Sequence, residues 1–295
     1  MSKKHPVIAV TGSSGAGTTT VKRAFEHIFF REKINAAVIE GDSFHSLSRI
    51  DFKEAVKKAE AEGNQFFSHF GPQANHFAKL AELFNTYGAT GSGKKRFYIH
   101  SDEEADQHNK RLGTSLNPGE FTPWENVDPG SDVLFYEGLH GLVKTDEVDV
   151  SAHVDLGIGV VPIVNLEWIQ KIHRDGAERG YSAEVIVETI LRRMPDYVNH
   201  ITPQFSRTDI NFQRVSTVDT SNPFISRDIP TPDESFIVIR FRDPQGVDFP
   251  YLLNMICNSF MSRRNTIVVP GAKMGFAMEL ILAPIIQEMI ASKGK

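Results

Sequence analysis

Val7-Ile-Ala-Val-Thr11 followed by Gly12-Ser-Ser-Gly-Ala-Gly17-Thr18-Thr19 is the stretch whose reading decides the fold. Residues 7–11 are a short apolar run bounded by Pro6 and Gly12, so they read as a buried strand. Beyond the glycines, Val21, Ala24, Phe25, Ile28 and Phe29 recur at the i, i+3, i+4, i+7 spacing that puts them on one face of a helix. A strand, a glycine loop and a helix in that order turn main-chain N–H groups and a helix N-terminus toward a bound anion. Gly12, Gly15 and Gly17 let the backbone come close enough to do so.

The loop matches the phosphate-cradling template G-x-x-x-x-G-K-[ST] at every position except the lysine, which is Thr18. Gly12, Ser13, Ser14, Gly15, Ala16, Gly17, Thr18 and Thr19 are therefore the expected ATP-binding residues. Thr19 supplies the hydroxyl for a magnesium ion, while the missing lysine's charge has to come from elsewhere in the chain.

Two more strands end in acids. Residues 36–40 run into Gly41 and Asp42, and residues 132–136 run into Glu137 and Gly138. In open α/β sheets ligands sit beyond the carboxyl ends of the strands. Asp42 is thus placed as a general base beside the last phosphate of ATP, its plain alternative being a helix N-cap. Glu137 is placed as a metal-holding acid, with a strand-end carboxylate as the alternative. Lys171, Arg174, Asp175 and Arg179 fall at i, i+3, i+4 and i+8, so the first three share a helical face. A lid over residues 165–195 carrying those cations would fill the place of the absent lysine. A salt-bridged surface helix explains the same spacing.

The remaining segments alternate. Helices are expected over residues 51–62, 75–87 (stopped by Gly88), 165–175, 182–194 and 276–290. Strands are expected at 154–161, near 215, at 236–241 and at 266–269. Residues 91–123 turn polar and irregular, which suggests a mobile or inserted loop near 90–123. This pattern predicts one α/β domain of P-loop NTPase type across residues 1–295, with a mixed, mainly parallel sheet and helices on both faces. The alternation over 236–241 is the antiparallel contribution.

Composition narrows the function. A net charge of −5 gives the chain as a whole no attraction to nucleic acid or anionic lipid, so an anion site must be a local cluster, as around Lys171 to Arg179 or Arg192 and Arg193. The single Cys257 excludes an internal disulfide. No uninterrupted apolar run reaches the roughly 18 residues of a membrane span, and a cytoplasmic location is expected. His45, His69, His100 and His173 show no zinc-ligand spacing; His45 and His100, near Arg49 and Tyr98, read as donors to a polar substrate.

Longer strings carry a more specific likeness. Glu40-Gly-Asp-Ser-Phe-His45, Phe135-Tyr-Glu-Gly-Leu-His-Gly141, the run from Val160 through Asn165-Leu-Glu-Trp-Ile-Gln-Lys171 to Asp175, and Asp209-Ile-Asn-Phe-Gln-Arg-Val215 resemble the bacterial-type phosphoribulokinases, within the group that includes uridine kinases. The likeness runs along nearly the whole chain, and the lysine-free loop is itself a trait of that family. It implies phosphoryl transfer from ATP to ribulose 5-phosphate with Mg²⁺ required. By position, Asp42 resembles the family's base, Glu137 its metal acid, and Asp175 a second metal-associated acid. Lys171 and Arg174 resemble the replacement cations, and His45, Arg49, Tyr98, His100 and Arg179 the sugar-phosphate contacts. Arg31, Arg240 and Arg263 fall where the family places effector arginines, which implies a homo-oligomer, dimer to octamer, sensing NADH and AMP. Residues 107–116 look inserted, and Ser46-Leu-Ser48 lacks the basic or aromatic side chains common there. Two alternatives stay open: a kinase of the same group acting on another pentose phosphate or uridine, and a nucleotide sensor that transfers nothing.

Overall fold

In a computed structural model, which describes residues 4–12, 18–226 and 228–292, β1 (Val7–Gly12) is the strand on which the rest is hung. All six of its residues are buried, which is why its sequence is a continuous apolar run. Helix α1 (Thr18–Glu32) follows, and β2 (Ala36–Glu40) returns to the sheet. Thr18, Thr19, Pro162, Glu178 and Arg179 are described in their backbone only.

Next come α2 (Arg49–Ala61), α3 (Phe77–Thr90), β3 (Lys94–Lys95), α4 (Asp102–Leu112), β4 (Glu125–Asn126) and β5 (Val133–Gly138). After them run β6 (Leu156–Pro162), the helix pair α5 (Val164–Arg179) and α6 (Ala183–Asp196), then β7 (Ile210–Ser216) and β8 (Ser235–Phe241). Helix α7 (Phe249–Met255), β9 (Phe260–Arg263), β10 (Thr266–Pro270) and α8 (Met274–Ala291) complete the chain. One sheet of eight strands has the order β2-β5-β1-β6-β7-β8-β10-β9. The first five are parallel, and β8, β10 and β9 join antiparallel, as the alternation in β8 predicts. Strands β3 and β4 pair separately.

Helices cover both faces. On one, Val21, Ala24, Phe25 and Ile28 of α1 pack with α8 against Ile8, Val10, Phe135 and Ile239, with the Phe25 and Phe135 rings 4.3 Å apart. On the other, Leu80, Phe84 and Tyr87 of α3 cover Val7, Ala9, Leu134 and Tyr136. Each such fully buried side chain is worth about 1.5–3 kcal/mol relative to exposure. Helix α8 is apolar and long enough by composition to cross a membrane, yet here Ala277, Met278, Ile281 and Leu282 line the core and Glu279 lies 3.5 Å from Arg31.

Two expectations are corrected. The helix over residues 75–87 does not stop at Gly88, which is buried inside α3; it ends at Gly91, whose φ of 72° is the left-handed cap conformation glycine favours. Residues 91–123 are not irregular throughout. They contain α4, started by Ser101, whose Oγ accepts from Glu104 N at 3.3 Å, and ended by Gly113 at φ 68°.

Candidate active site

Beyond the carboxyl ends of β1, β2 and β5 lies a cleft of about 400 Å³, roofed by the α5–α6 hairpin. Gly12 forms part of its floor. Ser13, Ser14, Gly15, Ala16 and Gly17 lie outside the described residues; the strand ends at Gly12 and the helix begins at Thr18 on either side of them.

The two strand-end acids are placed by backbone. Register pairs Glu40 of β2 with Glu137 of β5, and Val10 of β1 with Glu137 on its other side. Gly41 and Gly138 touch: a Cβ on Gly41 would sit 2.7 Å from the Gly138 Cα, and one on Gly138 would sit 2.6 Å from the Gly41 Cα. Only glycine at both positions lets the strand ends close, and Asp42 and Glu137 border the same cleft as a result. Glu137 is the last acid of β5, inside the strand and not beyond it as the expected end at residue 136 had it.

Burial pushes the Glu137 carboxyl up to about 7, with Lys22 opposing and the charges of Glu40, Asp42 and Glu26 adding to it. Such a crowd of acids is relieved by a hard cation with oxygen ligands. Among the described residues no cluster of three or more ligating side chains would hold a metal alone. One or two carboxylates completed by phosphate oxygens is the way a divalent metal binds with a nucleotide, and Glu137 fits that set. A divalent metal bound there would supply positive charge to the phosphate oxygens.

Asp42 is the second residue of the 3₁₀ turn 41–44 after β2. His45 Nε2 lies 3.4 Å from its Oδ1. Burial pushes the Asp42 carboxyl up, but the bond and charge of His45, with His100 and His140, outweigh that and hold it below the usual range. His69, Phe70 and the rim residue His100 continue this wall. The Tyr98 ring stands edge-on to His45 and His100, at 6.5 and 4.9 Å between centroids.

Across the cleft, Lys171 and Arg174 project from α5 and Arg193 from α6. Asp175 is buried between the first two: Lys171 Nζ donates to its Oδ2, and Arg174 Nε to its Oδ1 at 3.0 Å. Both oxygens are therefore engaged by the lid cations. Burial and Arg193 bring the Lys171 ammonium down to about 8, although Asp175 supports its charge. Tyr197 OH donates to Glu167 Oε2 at 3.1 Å at the lid base.

A buried amide ties these parts together. Gln204 Oε1 accepts from Thr11 Oγ1 at 3.0 Å and from Leu142 N at 2.9 Å. Its Nε2 donates to Leu139 O at 2.8 Å and to His200 O at 2.7 Å, in the π-helical turn 197–201 that follows the lid. The end of β1, the loop after β5 and the lid base thus share one side chain.

Not every expected residue reaches the cleft. Arg49 is exposed at the start of α2, its N–H donating to Gly119 O at 2.8 Å. The side chain of Arg179 is outside the described residues. Arg240 and Arg263 flank Thr266 across β10, with Arg240 Nη2 donating to Phe205 O at 3.4 Å. Arg31 lies with α1 and α8 on the opposite face of the sheet, beside Glu32 and Glu279, so the three do not cluster within one chain. Nothing in the sequence marks Glu167 or Gln204; His69 enters there only in the zinc question and Arg193 only as part of a basic run.

A strand and a helix flanking a glycine-rich segment, beside two strand-end acids and under a helical hairpin that presents cations, is the arrangement of an ATP-dependent kinase. The chain belongs to the Phosphoribulokinase / Uridine kinase family, whose pattern matches residues 7–221. It is 58% identical over 293 residues to the phosphoribulokinase of Nitrobacter vulgaris, covering 99% of each chain. To that of Xanthobacter flavus it is 61% identical over 293 residues, again 99% of each. The solved phosphoribulokinase from Rhodobacter spheroides matches with a TM-score of 0.90 at 52% identity, over 99% of this chain and 100% of that one.

Proposed function

We infer that this chain transfers the γ-phosphoryl group of ATP to the C1 hydroxyl of D-ribulose 5-phosphate, giving ribulose 1,5-bisphosphate and ADP. Full-length identity of 58% and 61% to two phosphoribulokinases carries the choice of acceptor. In this reading Asp42 takes the proton of the attacking hydroxyl, and Lys171 and Arg174 neutralise charge on the transferring oxygens. Glu137 holds Mg²⁺, with Thr19 as its partner hydroxyl. Asp175 fixes the lid cations and would be the second metal-associated acid. His45 and His100 line the acceptor side with the Tyr98 ring packed against them, and Arg49, which stands outside the cleft, and Arg179 would be further phosphate contacts.

The test is ADP release measured across a panel of pentose phosphates and nucleosides. Turnover with ribulose 5-phosphate at least tenfold above any other acceptor is expected; preference for uridine, or no release with any acceptor, discards the reading. NADH and AMP as effectors of a homo-oligomer belong to the same proposal. Activity unmoved by either nucleotide removes that part alone.

A further inference from the structure

The turn that carries Asp42 is stitched to a second turn, residues 72–74, by main-chain bonds. Ser46 N donates to Ala74 O at 2.9 Å and His76 N to Phe44 O at 2.8 Å, which leaves His45 and Asn75 facing each other. Asn75 is 7% exposed, and both hydrogens of its amide are committed: Nδ2 donates to His69 O at 2.9 Å and to Gly71 O at 2.7 Å. The atom that meets His45 Nδ1 at 2.8 Å is therefore Oδ1, which can only accept. Turning the amide over would set its oxygen against two carbonyl oxygens. So His45 Nδ1 carries a hydrogen.

That leaves Nε2 facing the Asp42 carboxylate. In the neutral ring Nε2 would present a lone pair to that carboxylate, whereas a second proton makes the contact an ion pair. Several groups bear on this ring. Arg96 donates to His45 O, its charge opposing the proton; the His69 ring is 5.8 Å away, and Tyr98 closes the outer side. His100 and His140 lie close enough to Asp42 to act on its charge. Burial also opposes the proton, yet Asp42 and Asn75 outweigh these effects and hold His45 above the usual imidazole range.

We propose that Asn75 is a positioning residue for phosphoryl transfer: its amide holds His45 as the doubly protonated partner of Asp42, so that a fixed positive charge stands beside the base at the acceptor end of the cleft. His45 then has no free lone pair and cannot itself take the acceptor's proton. That step is left to Asp42, the carboxylate beside it. This inference rests on the reading of Asp42 as the base.

The test is an NMR titration of the histidine ring nitrogens in the full chain, on the wild type, Asn75→Ala and Asn75→Asp. Both nitrogens of wild-type His45 are expected to stay protonated above the ordinary imidazole midpoint. Asn75→Ala should move that transition toward acid by about half a pH unit or more, and Asn75→Asp should move it toward alkali. General loosening of the turn would move both variants the same way, and that result overturns the proposal. Asn75→Ala should also cost about tenfold in kcat/KM for the acceptor at constant KM for ATP, and nothing further in a His45→Gln background. An equal cost in both backgrounds overturns it as well. Should Asn75→Ala not fold, the wild type and Asn75→Asp decide the matter between them. Full activity of Asp42→Asn would remove the base and leave the His45 titration as described, so the two failures are separable.

Discussion

The acids at the strand ends and the cations of the lid face one cleft, but they are held there by different means. Asp42 and Glu137 follow directly from strand register and from the Gly41–Gly138 contact, so their spacing is a property of the main chain. Lys171 and Arg174 stand on a helix and are aimed by a buried carboxylate, Asp175, through side-chain bonds. Loss of a strand-end acid should therefore remove a function with little effect on its surroundings. Changes in the lid should instead tune the site, because each cation there depends on its neighbours' charge.

The sharpest way to break that contrast is Asp42→Asn. Turnover should fall about 10³-fold while ATP affinity stays within about twofold, as single-turnover kinetics and nucleotide titration would show. Equal loss in both would mean that the acid supports the fold of the nucleotide site and not the transfer.

On the lid, Lys171→Met should cost about 10²-fold in kcat. Its pH behaviour sharpens the comparison further. Lys171 has a midpoint lowered to about 8, so its positive charge is present below that pH and lost above it. Activity that uses the charge should fall as pH rises through about 8, and Lys171→Arg should carry the fall to higher pH. A pH–rate profile unchanged by the arginine would exclude the ammonium from the step.

Between the two regions stands Gln204. Replacing it with leucine strands Leu142 N and takes the amide donor from Leu139 O and His200 O, and should destabilise the chain by about 2 kcal/mol in urea unfolding. The smallest effect is expected at the start of α4, next in the chain to the rim residue His100. Ser101→Ala removes the cap of α4 and should cost about 1 kcal/mol with kcat unchanged.

Strands β1 and β5 were legible because a strand buried on both faces is apolar along its buried length, and β2 and β5 because an acid beside a glycine marks the polar end. Helix α4 was not. Among its residues only Ala105 is buried, so no apolar stripe betrays a helix, and the caps at Ser101 and Gly113 were the remaining signal. Gly88 misled for a related reason: inside α3 its small size serves packing, while the stop needed the left-handed backbone found at Gly91. In the site, Asp42, Glu137, Lys171 and Arg174 were readable from their spacing to the strands and to one another. Asn75 and Gln204 were not, since an amide's meaning lies in backbone partners such as His69 O or His200 O that only the folded chain brings near.

The Gly41–Gly138 contact bears on how such a chain diversifies. Because a methyl group at either position would meet the opposing α-carbon, the separation of base and metal acid is barred from drifting by stepwise substitution. A descendant that phosphorylates a different sugar inherits that separation unaltered, and its new preference has to be written into the histidine wall and the hairpin above.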